Sequence, residues 1–266
     1  LPQGGEMGRE RYQQKTAYLR RVQPAYEAYD KAQTALTEEN AGQAQELLNK
    51  ALAIEPREAL FHDLQGDLHA LDKQYDKALA SYGQAVRANP GFFYGHLRKG
   101  QMEYSLDRFG ASRSSLDRSL ELMPTAEAHY LLGMLDKRQG NTPAAIEHFR
   151  TAAQSESETG KKAINEVVML DLETNPSNYI ASQAAVDDKG QVWAQFLNRT
   201  GVAVRDIEIG FMWLDEQGQT RQGKKTYPGP LEGGKQDQLA LGISLSNPAE
   251  LGRRVRVEIT SAKIDL

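Results

Sequence analysis

Small and bulky residues recur along residues 25–158 at a spacing that places them on one side of a helix. Ala44, Ala78, Ser112 and Ala145 are each followed four residues later by Leu48, Tyr82, Leu116 or Phe149. Three residues further on come Ala51, Ala85, Ser119 and Ala152. Positions related as i, i+4 and i+7 form a single stripe along an α-helix. The small members let a neighbouring helix approach, and the bulky one fills the space between. Ahead of each such helix lies another, marked by Gly66, Gly100 or Gly133, with Ala32 in that place in the first unit. Glycine there costs roughly 1 kcal/mol of helix propensity relative to alanine, and close helix contact is the natural compensation. Pro56, Pro90 and Pro124 follow the second helix at 34-residue intervals, stopping it and opening the next unit.

A 34-residue period with these marks resembles the tetratricopeptide repeat (TPR), a helix pair stacked into a solenoid. Repeats are expected at 25–58, 59–92, 93–125 and 126–158. The last carries Ser157 in place of the terminal proline and is one residue short at its start. The resemblance implies a groove lined by the first helix of each repeat. Projected onto this chain, its lining is Tyr26, Tyr29, Asp30 and Gln33, then Asp63 and Asp67, then Tyr94, Arg98, Gln101 and Tyr104. The fourth repeat adds Glu127, Tyr130, Met134 and Lys137. Tyrosine and arginine dominate binding energy at protein interfaces, so these residues suit a bound polypeptide. The plainer alternative is that several of the tyrosines pack between helices. TPRs that clamp chaperone tails hold a terminal carboxylate with a Lys/Asn/Arg set. Here those positions carry Tyr29, Gln33, Leu64, Tyr94 and Arg98, which disfavours such a clamp.

Solenoid ends need covers with one polar face. After Gly160, the segment Lys161–Glu173 places Ile164, Val167, Val168 and Leu172 at helical spacing and ends at Asn175-Pro176, which predicts a capping helix within 159–176. At the other end, residues 6–22 read as a basic amphipathic helix with Tyr12, Leu19 and Val22, stopped before Pro24. Within this 1–24 segment the simpler expectation is a second packed cap. The alternative is that Arg9, Arg11, Lys15, Arg20 and Arg21 meet an acidic partner.

Beyond Pro176 the period changes to two. Val192–Leu197 and Ile207–Leu214 are rich in β-branched and aromatic residues. Further strands are expected at Tyr179–Val186, Gln238–Ile243 and Arg254–Ile264, separated by glycine-, proline- and asparagine-rich turns. Six or seven strands in about 90 residues suit a small β-sandwich over 177–266. Phe211-Met212-Trp213-Leu214-Asp215 and the turn after it resemble the FxLYD-type immunoglobulin-like modules of bacterial envelope proteins, although only Phe211 and Asp215 match the name motif. Asn198-Arg199-Thr200 also spells a glycosylation sequon, for which a hairpin turn is the simpler account. The expected fold class is therefore α+β and multidomain, an all-α TPR solenoid followed by a small immunoglobulin-like β-sandwich.

Composition narrows the chemistry. The chain has 266 residues, a formal net charge of -4, 39% hydrophobic and 26% charged residues, and no cysteine. This is the profile of a folded protein rather than a disordered one, without a broad electrostatic grip on nucleic acid. No apolar run is long enough to span a bilayer, and no signal peptide is recognisable. Starting at Leu1 suggests a fragment or a processed product. Without cysteine there is neither a disulfide nor a thiolate metal site. None of the five histidines forms an HExxH motif, and neither a GxSxG elbow nor a P-loop is present. His62, His96 and His129 recur at one place in successive repeats. Such places lie on the order of 10 Å apart, too far to share a zinc ion, so packing of the first helix is the expected role. Glu38-Glu39 and Asp187-Asp188 read as solvated turn residues. No catalytic residue, metal site or cofactor is expected in this chain.

The run Gly4-Gly5-Glu6-Met7-Gly8-Arg9-Glu10-Arg11-Tyr12, followed by Gln23-Pro24-Ala25-Tyr26-Glu27-Ala28-Tyr29-Asp30, resembles a particular junction. It joins the peptidase domain to the TPR tail in bacterial zinc metallopeptidases related to the β-barrel-assembly-enhancing protease. The resemblance covers residues 4–30 closely and implies a periplasmic, non-catalytic recognition module, with zinc only in an upstream domain. The alternative is a stand-alone TPR scaffold or lipoprotein of envelope or pilus assembly. Either reading expects a protein or peptide partner.

Overall fold

The computed structural model describes residues 3–265, with side chains for 9–265. The reading built on Leu1, and the side chains of the junction before Arg9, lie outside the described residues. Among the described residues three helix pairs form as expected: α1 (Gln3–Thr37) with α2 (Ala41–Ile54), α3 (Ala59–Leu71) with α4 (Tyr75–Ala88), and α5 (Phe93–Ser105) with α6 (Phe109–Leu122); α7 (Ala126–Arg138) and α8 (Thr142–Ala152) follow in sequence. A ninth, α9 (Glu158–Asp171), precedes six strands. The chain divides into two compact units, residues 1–135 and 136–266.

In the first unit the predicted stripe is the core. Ala44, Leu48, Ala51, Ala78, Ala85, Ser112, Leu116 and Ser119 are wholly buried, and Tyr82 nearly so. Glycine earns its place opposite the bulky residue. A Cβ on Gly66 would strike the Tyr82 ring, and one on Gly100 would lie 2.8 Å from Leu116 Cγ. Where the third pair has serine instead of alanine, the hydroxyls bond the facing helix. Ser112 Oγ donates to the Gly100 carbonyl at 2.8 Å, and Ser119 Oγ to that of Phe93 at 3.0 Å.

The turn inside each pair follows one geometry. Glu39, Lys73, Asp107 and Gly140 are left-handed, with φ of 60°, 58°, 57° and 75°. The next amide reaches back five residues to a helix carbonyl: Asn40 to Ala35, Gln74 to His69 and Arg108 to Glu103, each at 2.8 Å, and Asn141 to Asp136 at 2.9 Å. These bonds satisfy carbonyls orphaned at the helix end. The sequence pattern did not reveal this turn, because three of the four left-handed residues are not glycine.

The N-terminal helix departs from expectation. Rather than stopping before Pro24, α1 runs through it to Thr37. Proline removes one amide and disturbs the carbonyl four residues back, which here is on exposed Arg20, where water can serve it. Val22, Ala25, Tyr29 and Ala32 continue as one buried stripe across the proline. Residues 9–21 do not form a packed cap: Tyr12, Tyr18 and Leu19 are exposed. Of the basic set, Arg21 is engaged within the chain, on Glu55 at 2.8 Å and the Ile54 carbonyl at 3.2 Å.

The second unit joins α8 and α9 to the strands. These are β1 (Ile180–Val186), β2 (Gln191–Asn198), β3 (Val204–Leu214), β4 (Thr220–Tyr227), β5 (Gln236–Ser244) and β6 (Val255–Ile264). They form two three-stranded antiparallel sheets, ordered β1-β2-β5 and β4-β3-β6. One core joins both, with Ile180, Phe196 and Leu241 from the first sheet and Ile209, Phe211 and Ile259 from the second. Val168 of α9 and Leu172 at its C-terminal cap belong to the same core, so the expected capping helix is built into the β region. It also starts at Glu158, three residues early, because Ser157 caps it by accepting the Gly160 amide at 3.2 Å.

Two hairpins use the same aspartate turn. Asp187 accepts the amides of Lys189 and Gln191, both at 2.9 Å, and Asp215 those of Gln217 and Gln219 at 3.0 and 2.8 Å. Gly190 and Gly218 then supply the positive φ, 78° and 76°. Asp187 is therefore a turn cap rather than an idle solvated acid, and its bonds to the Gln191 and Lys189 amides hold its pKa low. Asn198, fully buried, donates to the carbonyls of Val202 and Leu231 at 2.8 and 3.0 Å. Its amide nitrogen thus has a structural job in the turn.

Candidate functional site

The first helices of successive pairs lie side by side in the first unit. Tyr26 and Tyr29 of α1 meet Phe61 of α3 with ring centroids 5.3 and 5.2 Å apart. Arg98 of α5 lies 3.8 Å from Asp67 of α3. Each helix turns one face to its partner helix and leaves polar residues on the other. The structure thereby brings Tyr26, Asp30, Gln33, Asp63, Asp67 and Arg98 to adjoining helices.

Their chemistry is predominantly acidic. Asp67 accepts the Tyr82 hydroxyl at 2.7 Å, Glu58 that of Tyr26 at 2.6 Å, and Gln33 Nε2 donates to the Tyr29 hydroxyl at 2.8 Å. Asp63 Oδ1 is buried and has no hydrogen-bond partner among the described residues. Burial, reinforced by the neighbouring Asp67 charge and only partly opposed by Arg98, pushes the Asp63 pKa up to about 7. Burial and the charge of Asp63 raise Tyr29 to about 12, and the bond to Glu58 together with burial raises Tyr26. Both phenols therefore stay protonated; that of Tyr26 donates to Glu58, while that of Tyr29 accepts from Gln33.

Not every expected groove residue is free for a partner. Tyr29 is a core residue, 8% exposed, because its ring fills the gap beside Phe61. Only its hydroxyl takes part in the polar row. Tyr104 is partly buried against Phe109, at 5.9 Å between centroids. Tyr94 is 50% exposed and leans on Phe93 at 4.2 Å. Gln101 and Glu127 are exposed, while Tyr130 and Met134 are half-buried. Lys137 belongs to the second unit, where it pairs with Glu166 of α9 at 2.6 Å.

The recurring histidines have a different task from general packing. His62 Nε2 donates to the Pro56 carbonyl at 2.9 Å, and His96 Nε2 to that of Pro90 at 3.1 Å. Each ties the start of a first helix to the proline turn six residues earlier. Burial lowers the His96 pKa, although the bond to Pro90 opposes it. The imidazole is thus neutral near pH 7, with its proton on the bonded nitrogen. Sequence spacing located these residues but could not show that the carbonyl of the signature proline is their partner. Among the described residues no group of three or more histidines and carboxylates could hold a metal ion.

Residues 29–91 and 97–158 match the tetratricopeptide repeat family. These helix pairs are tetratricopeptide repeats. The TPR match lies within the helical region and supports a protein-interaction module. No curated protein matches the chain. Among solved structures, residues 41 to the end of MamA from Desulfovibrio magneticus RS-1 are similar at 19% identity and a TM-score of 0.50, over 56% of this chain and 84% of that one. PilW, a widely conserved type IV pilus biogenesis factor, is similar at 20% identity and a TM-score of 0.51, over 55% of this chain and 69% of that one. A monomeric mutant of IFIT1 with m7Gppp-AAAA is similar at 23% identity and a TM-score of 0.51, over 56% of this chain and 38% of that one. At these identities the likeness is one of fold. No helix among the described residues is long and apolar enough to cross a membrane.

Proposed function

We propose that this chain is a non-catalytic scaffold that holds a polypeptide partner along the TPR face made by α1, α3 and α5. The supporting observation is the row Tyr26, Asp30, Gln33, Asp63, Asp67, Arg98 and Gln101, drawn from three adjoining helices that bury their opposite faces. Four carboxylates, counting Glu58, against the single arginine of this row favour a segment that brings a basic side chain. Tyrosine and arginine supply the contact energy, and charge complementarity sets the register.

Fold-level similarity to PilW, a pilus biogenesis factor, and to MamA favours the scaffold over the recognition part of a zinc metallopeptidase. The peptidase reading rests on the junction resemblance at residues 4–30 alone, as does placement in the bacterial periplasm. The proposal includes neither nucleic acid nor a cofactor, in keeping with the net charge of -4.

Photo-crosslinking in the native cell tests the groove. A photoreactive side chain at Gln101 is expected to trap a discrete protein, and one at Asp117, exposed on α6, is not. Tyr94→Ala combined with Arg98→Ala should remove the adduct and leave the helical circular dichroism unchanged. An adduct that survives the double substitution, or forms equally from Asp117, sinks the assignment.

A further inference from the structure

A second candidate site lies wholly within the 136–266 unit. It is a cavity of about 290 Å³ walled by the end of α8, one side of α9, the start of the β region and the turn after β2. Its floor is apolar, formed by Ile164, Val167 and Val168 of α9. Ile164 is 46% exposed, which leaves a large aliphatic surface in water. Two cations, Arg150 and Arg199, line the same cavity. The charges around them are unequal. Arg150 donates to Asp171 at 3.1 Å, but Asp171 also accepts from Tyr179 and Asn175, both at 2.7 Å. That carboxylate is thus committed within the fold, and Arg150 keeps further donors. Arg199 makes no side-chain ion pair or hydrogen bond among the described residues.

The position of Arg199 is fixed by its neighbours. Its amide donates to the Tyr179 carbonyl at 2.9 Å. Asn198 Oδ1 accepts both the amide and the hydroxyl of Thr200, at 2.9 and 2.7 Å. Gly233 packs so closely on the Thr200 carbonyl and Gly201 that a Cβ there would lie 2.8 Å from that oxygen. The turn therefore presents a cation beside an aliphatic floor at little cost in ordering.

We propose that this cavity captures the C-terminal residue of a partner polypeptide. An aliphatic side chain rests on Ile164, Val167 and Val168, and the α-carboxylate lies between Arg199 and Arg150. The size selects this occupant. Sites for whole small ligands run from roughly 300 to 1,000 Å³, so this one suits a single terminal residue whose chain leads back into solvent. An acyl chain would need burial along its length. Guanidinium pairs well with carboxylate because its planar donors match the two oxygens.

The test is a methyl NMR titration of the full chain, labelled at isoleucine and valine methyls, with N-acetyl-leucine as the probe. The signals of Ile164, Val167 and Val168 should shift and saturate. N-acetyl-leucinamide, which lacks the carboxylate, should bind at least tenfold more weakly. Arg199→Ala should weaken the acid by a similar factor and leave the amide unaffected; Arg199 is exposed and its turn is held by Asn198. Arg98→Ala, in the groove, should change nothing, so failure of this site and failure of the groove are separable. Equal binding of acid and amide, indifference to Arg199→Ala, or loss with Arg98→Ala each overturns the proposal. Tighter binding of decanoate than of N-acetyl-leucine overturns it in favour of an acyl ligand.

Discussion

Asp63 is a poorly satisfied charge of the proposed groove. One oxygen is buried without a partner, Asp67 adds a like charge, and Arg98 compensates only in part. The folded state therefore holds this proton up to about pH 7, whereas an unfolded chain releases it near the usual aspartate value of about 3.9. Between those limits the native state binds more protons, so stability falls as pH rises through the window. Above it the ionised, buried carboxylate costs on the order of 4 kcal/mol, at about 1.4 kcal/mol for each unit between the two values. Asp63→Asn is expected to raise the urea midpoint at pH 8 and to change little at pH 3.5, where both states are protonated. Equal gains at the two pH values would contradict the assignment. The TPR resemblance put Asp63 and Asp67 among the expected groove residues. It could not show the Tyr82 hydroxyl that occupies Asp67, because Tyr82 was legible only as a bulky stripe member. Tyr29 shows the same limit from the other side: the TPR resemblance implied a place on the groove, but ring packing on Phe61 is a three-dimensional fact.

At the level of the helix pair, glycine and its absence have opposite consequences. Gly66→Ala would gain roughly 1 kcal/mol of intrinsic helix propensity, yet the new methyl meets the Tyr82 ring. That ring cannot swing aside freely, because its hydroxyl is bonded to Asp67 at 2.7 Å. Overpacking of this kind costs about 1–3 kcal/mol, so the net change is destabilising and lowers the thermal midpoint. Lys73 presents the reverse case. Its φ of 58° costs an L-residue roughly 1–2 kcal/mol, and glycine in the unfolded chain gives back about 1 kcal/mol of that relief through entropy. Lys73→Gly should therefore stabilise by roughly 0.5 kcal/mol, read as a higher denaturant midpoint with an unchanged slope. The small-bulky-small stripe was fully legible because repetition exposes it. The left-handed turn was not, since Glu39, Lys73 and Asp107 have no shared residue type. Strand β4 was missed for a related reason: Thr220–Tyr227 is largely polar and solvent-facing, so no apolar alternation marks it. Pro24 misled in the other direction. A proline usually ends a helix, but a buried stripe continuing on both sides outweighs the one lost hydrogen bond.

On the scale of the whole chain, change of periodicity suggested a boundary near residue 176, where helical spacing gives way to alternation. The two compact units divide at residues 135 and 136. The difference lies in what α9 does. Its spacing of Ile164, Val167, Val168 and Leu172 shows an apolar side but not which core receives it. The structure gives Val168 and Leu172 to the β-region core, 3% and 0% exposed, and fastens the end of the helix through Asp171 to Tyr179 and Asn175. Burial of an aliphatic side chain is worth roughly 1.5–3 kcal/mol, so losing these two removes about 4 kcal/mol. The hydrogen bonds of Asp171 would go as well. Against a typical domain stability of roughly 5–15 kcal/mol, that loss leaves little margin. A fragment of residues 177–266, cut where the periodicity changes, should therefore melt at low urea or expose its core to hydrophobic dyes. A fragment of residues 136–266 should unfold cooperatively at a clearly higher midpoint, and Leu172→Ala within it should return about half of the difference. Matching midpoints for the two fragments would mean that α9 merely rests on the sheets. A higher midpoint brought about halfway down by Leu172→Ala would make this helix a structural member of the β region that happens to continue the helical period.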